Sequence, residues 1–111
     1  QFLTAPSQPS YSPAYPPKIR VITAHQTTTA CPSQWEGLTE DDHEVYARYR
    51  GGRLRVYVRT IEGAPLPDER CLVFSKTVGG PLDGWMEGEE LRAHTEGSIE
   101  WPEVIAVEGP V

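Results

Sequence analysis

Two adjacent glycines, Gly51 and Gly52, separate two runs in which apolar and polar side chains alternate, EVYARYR before them and RLRVYVRTI after them. A two-residue loop built of glycine tolerates the positive φ angles of a tight hairpin, so it joins the runs as antiparallel strands and leaves their pairing no freedom. Counting outward sets Arg50 against Arg53, Tyr49 against Leu54, Arg48 against Arg55, Ala47 against Val56, Tyr46 against Tyr57 and Val45 against Val58. Side chains alternate between the faces of a strand, which puts Val45, Ala47, Tyr49, Leu54, Val56 and Val58 on one side as a core face. Tyr46, Arg48, Arg50, Arg53, Arg55, Tyr57 and Arg59 fall on the other.

The flanking segments extend this hairpin into a meander. QWEGLT is expected as a strand before it, with EDDH as the turn between, and RCLVFSK as a fourth strand beyond the proline-rich loop GAPLPDE. In that strand Leu72 and Phe74 are expected to point inward. VGGPLDG is a turn, and WMEGEELRAHTEG has helical character: Glu87, Glu89 and Glu90 come early, Arg92 and His94 late, and Gly97 is placed to end it. Trp101 is expected as a core anchor, residues 104–107 as a short last strand. Residues 18–23 alternate as a short strand, and HQTTTA after them reads as a polar connector. Residues 1–17, with five prolines and no hydrophobic period, read as an extended arm. The expected organisation is an arm and connector over residues 1–30 and a small α+β domain over 31–111, in which three or four antiparallel strands pack on one short helix. Its expected core is Trp35, Val45, Tyr49, Leu54, Val56, Val58, Leu72, Phe74 and Trp101.

Charge is unevenly placed. Residues 1–60 carry seven basic and five acidic side chains, whereas residues 61–111 carry three and eleven, for a total of −6. The hairpin holds five of the ten basic residues, and its register sets Arg50 opposite Arg53 and Arg48 opposite Arg55. Like charges directly opposite are destabilising by about a few tenths of a kcal/mol per pair, so something acidic is expected over them. Three sources qualify: the acidic C-terminal half of the chain, which is favoured, an acidic protein surface, or a phosphate backbone stacked along the tyrosines.

Catalytic machinery is not expected. His25, His43 and His94 fall in three different elements without metal-ligand spacing, and the carboxylates of residues 87–90 suit a solvated helix start. No nucleophile elbow, phosphate-binding glycine loop or dinucleotide fingerprint occurs. No cofactor or metal is therefore expected. Cys31 and Cys71, 40 residues apart, match neither a zinc knuckle nor a redox pair, and whether they join is left open. No apolar run has the length of a membrane span.

Residues 31–59, CPSQWEGLTEDDHEVYARYRGGRLRVYVR, resemble a pattern, CPSQWE followed by VYxRYRxGxLxV, found in small uncharacterised proteins of actinobacteria and their phages. WMEGEEL resembles the helix start that follows in those proteins. The resemblance implies an origin rather than an activity. With the small size, the extended arm and the absence of catalytic machinery, the expected function is that of a non-enzymatic accessory or structural protein of a phage particle or similar assembly, docked on larger neighbours through its arm, in a virion or host cytoplasm. The alternative is a small intracellular binding protein or inhibitor that engages an acidic protein or nucleic acid through the Arg/Tyr face. Partner-binding candidates are Tyr46, Arg48, Arg50, Arg53, Arg55, Tyr57 and Arg59, with Tyr11 and Tyr15 in the arm.

Overall fold

A computed structural model describes residues 18–28 and 32–107. In chain order the elements are β1 (Ile19–Thr28), β2 (Ser33–Thr39), β3 (Glu44–Arg50), β4 (Arg53–Val58), a 3-10 turn (Glu69–Cys71), β5 (Leu72–Thr77), α1 (Gly88–His94), β6 (Ile99–Glu100) and β7 (Ala106–Val107). They form one sheet in the order β5, β4, β3, β2, β1, β6, with β7 further along the outer edge of β1.

The hairpin lies where counting placed it, with all six cross-strand pairs from Val45 and Val58 to Arg50 and Arg53 as expected. Gly51 and Gly52 take φ of +61° and +75°, the mirror-image turn whose twist matches that of the strands it joins. Before it, Thr39 Oγ1 accepts from the backbone N–H of His43 at 3.0 Å and shapes the turn between β2 and β3.

The sheet has seven strands among the described residues, more than the three or four expected. One reason lies in β1, which runs on to Thr28 through the stretch that reads as a polar connector and sits inside the sheet. Its polarity is deceptive because Gln26 is buried on the core side, with its Nε2 donating to the carbonyls of Thr28 at 3.1 Å and Met86 at 3.3 Å. A polar side chain can replace an apolar one in a core once its hydrogen bonds are made. The other reason is β6, a two-residue strand parallel to β1 and too short to leave a periodic signal, whereas β7, also parallel to β1, falls within the last strand expected over residues 104–107. A bulge between Val21 and Thr23 bends β1 against β2. Gly37 faces that bulge, and a Cβ there would run into the Thr23 backbone.

One face of the sheet carries the main core. Trp35, Val45, Ala47, Tyr49, Leu54, Val56 and Val58 pack there with Met86, Leu91 and Trp101, and Phe74 packs partly against them. The helix begins as its acidic residues suggest, with the Glu87 N–H donating to Glu90 Oε1 at 3.2 Å, and Gly97 follows its end with φ +96°. Trp101 anchors the core through a buried relay: its Nε1 donates to Thr95 Oγ1 at 2.7 Å, which donates to the Leu91 carbonyl at 2.8 Å. Residues 78–87 cross the hairpin end of this core. Gly52 N donates to Asp83 O and Ser33 N to Gly84 O, both at 2.7 Å, and the Tyr49 hydroxyl donates to Asp83 Oδ2 at 2.6 Å. Burial of that phenol, with the Asp83 carboxylate beside it, pushes its pKa up to about 12.

Leu72 departs from expectation. It stands opposite Tyr57 while Phe74 stands opposite Val56, so the two point to opposite faces. The cause is a bulge that takes up Val73 and breaks the alternation of β5. Leu72 instead joins Tyr57, Ala64 and Cys71 in a second, smaller apolar cluster with Tyr46, Ile61 and Leu66, made where residues 61–71 fold back on the far face of the sheet.

Candidate partner-binding face of the sheet

The far face is organised in rows set by strand register. His25, Glu36, Tyr46, Tyr57 and Leu72 stand side by side across five strands. The next row toward the hairpin turn holds Gln34, Arg48, Arg55 and Ser75, and the one beyond it Arg50, Arg53 and Thr77. Successive rows lie about 7 Å apart, two residues along each strand.

The sequence candidates separate into three groups on this grid. Tyr46 and Tyr57 form a tilted ring pair with centroids 6.1 Å apart, and Tyr57 is only 1% exposed beneath residues 61–71. Its hydroxyl donates to Glu69 Oε2 at 3.3 Å; burial and the Glu69 charge raise its pKa, and Arg55 and Arg48 oppose that rise. Tyr57 is thus interior and Tyr46 half-buried, so the two do not form an open stacking platform. Arg59 pairs with Glu44, Nη2 to Oε1 at 3.1 Å. Tyr11 and Tyr15 lie outside the described residues.

Arg48, Arg50, Arg53 and Arg55 form the remaining group. Arg48 and Arg55 are half-buried and Arg50 and Arg53 are exposed. Of the chain's 16 acidic residues only Glu108 lies outside the described residues, yet none of the others forms an ion pair with any of these four. Carboxylates of the acidic half that do find partners find them elsewhere: Asp68 forks Arg70 in the 3-10 turn, Glu100 faces Arg20, and Asp83 holds Tyr49. No ion pair among the described residues carries neutralisation by the acidic C-terminal half, the favoured expectation, to these arginines: Arg59 is paired with Glu44 of the N-terminal half, and the two opposed arginine pairs have no carboxylate partner.

Four guanidinium groups on two adjacent rows present a dense array of N–H donors in planar forks, the geometry that carboxylates and phosphates accept bidentately. Gln34, Ser75 and Thr77 flank them in the same rows and add shorter polar groups. These three escape a reading of the hairpin alone; extending its register one strand to either side locates them. The Glu44 partner of Arg59 was within reach of the same counting, because it follows directly from Val45 opposite Val58.

Among the described residues no group of three or more His, Cys, Asp or Glu side chains is placed to hold a metal ion. None of their helices is long and apolar enough to cross a membrane. Comparison with protein-family models, curated proteins and solved structures yields no match to this chain.

Proposed function

We propose that this protein is a non-catalytic docking module that binds an acidic protein surface through Arg48, Arg50, Arg53 and Arg55. The observation that carries the reading is the pair of like-charged couples left without a carboxylate, although the chain as a whole is acidic. Each couple costs the isolated fold about a few tenths of a kcal/mol, and an acidic partner turns that cost into binding energy. In keeping with the resemblance of residues 31–59, the partner is a subunit of a phage particle or similar assembly. The proline content of residues 1–17 suits a second attachment, because a segment restricted by proline loses less entropy on docking.

The test compares wild type with an Arg48→Ala/Arg55→Ala variant for binding to polyglutamate and to single-stranded and duplex nucleic acid across a salt series. Salt-sensitive binding to polyglutamate that the variant loses, with its stability equal to or above wild type, supports the proposal. Equal binding by both proteins, or a variant that unfolds, refutes it; preference for nucleic acid moves the reading to a phosphate partner.

A further inference from the structure

The two edges of the sheet are treated differently. β1 is covered along its outer edge by β6 and β7, whereas β5 pairs with β4 alone among the described residues. Val73, Ser75, Lys76 and Thr77 are all exposed there. A strand with one free edge offers outward N–H and C=O groups to any extended chain that reaches it.

What stands beside that edge selects the chain. On the far face the two arginine rows end at β5 in Ser75 and Thr77, with Arg55 and Arg53 one strand further in. Ser75 and Thr77 are short, so they leave open the space between the guanidiniums and the edge. A strand added to β5 would lie about 9.6 Å from β4, two strand spacings, within reach of two long side chains that meet over a short one. Arg53 and Arg55 are two residues apart, which is also the repeat of side chains on one face of a strand. β4 and β5 together carry Arg53, Arg55 and Lys76 and no acidic residue, so a second copy of β5 laid edge to edge would set like charges together.

We infer that β5 takes up an extended acidic segment of the partner by strand addition, with carboxylates at alternate positions meeting Arg55 and Arg53 across Ser75 and Thr77. This rests on the reading of the arginine face as one that binds an acidic protein, and it names the form in which the acid arrives. Main-chain pairing supplies affinity, and the alternation of charge supplies selectivity.

The full chain is titrated with two synthetic peptides of one composition, glutamates alternating with valine and threonine in the first and gathered in a block in the second. The alternating peptide should bind at least about tenfold more tightly, a difference of about 1.4 kcal/mol. It should also slow hydrogen exchange of backbone amides in residues 72–77, and Arg53→Ala/Arg55→Ala should remove its binding while the hairpin amides stay protected. Equal binding of the two peptides without protection of β5 would overturn strand addition and leave the acid-binding face standing. Failure to bind either peptide or polyglutamate would overturn both. Preference for a single-stranded oligonucleotide at the same arginines would assign the face to phosphate. Protection of β5 that grows with protein concentration in the absence of peptide would identify a second copy as the occupant and refute the acidic segment.

Discussion

Replacing Thr95 by valine keeps its shape and removes one oxygen atom from the main core. Thr95 is fully buried, and its hydroxyl is the acceptor for Trp101 Nε1, whose residue is 6% exposed. The Leu91 carbonyl keeps a donor in the variant, because the Thr95 backbone N–H also reaches it at 3.1 Å. The loss therefore falls on the indole N–H, left buried without an acceptor at a cost of about 1–3 kcal/mol. Thr95→Ser keeps both bonds and loses one methyl group, about 0.8 kcal/mol. The expected order is wild type, then serine, then valine, the reverse of an order by hydrophobicity. Urea unfolding at constant m resolves it, since about 2 kcal/mol moves the midpoint of a domain this size by about 1 M. Adding Trp101→Phe in both backgrounds closes a double-mutant cycle, with coupling of about 1 kcal/mol or more expected between hydroxyl and indole. A valine variant as stable as the serine variant, or a cycle with no coupling, would refute the relay as a stabilising element.

Val56→Asp should unfold the domain, because an unpaired carboxylate would be buried between Ala47 and Phe74 at a cost of several kcal/mol, whereas Arg55→Asp, facing Arg48, should leave the circular dichroism spectrum and melting temperature intact. The reverse outcome would mean that the register is off by one residue. The raised pKa of Tyr49 gives stability a basic limit: the unfolded phenol ionises near 10 while the folded one keeps its proton to about 12, so stability falls as pH rises between those values. Tyr49→Phe should flatten that part of the pH profile of unfolding, and an unchanged profile would show that burial and the Asp83 contact do not hold the proton on Tyr49.

The hairpin was legible because its two signals, a glycine pair and a period of two, are local and agree. The same holds for the helix, whose acidic start, basic end and Gly97 are read within one segment. What escaped depends on partners distant in sequence. Gln26 is polar, and its burial in the core is matched by a bond to Met86, 60 residues away, beside the local one to Thr28. Ile99 and Glu100 become a strand because Ile19 and Arg20 stand ready beside them. Residues 61–71 carry the composition of an open loop, yet they bury Tyr57 from the face where counting placed it. At the candidate site the arginines and their opposition were legible, since register alone sets them. Their lack of a carboxylate was not, because it depends on where fifteen acidic side chains come to rest.

Placing β1 between β2 on one side and the late strands β6 and β7 on the other has a consequence for how the chain is made. β1 comes first among the described elements in chain order, and its hairpin neighbours follow within a few tens of residues. The segments that finish its outer edge come last among the described elements, after α1. Until those segments are made the nascent sheet carries a second open edge, along a strand that includes Val21 and Ala24 of the core, and α1 has no Trp101 to pack against. Closure of that edge waits on residues 99–107 rather than on the strands that precede them. Lys18 and Arg20 then stand at the start of that edge, charges of the kind that discourage edge-to-edge pairing with another nascent chain.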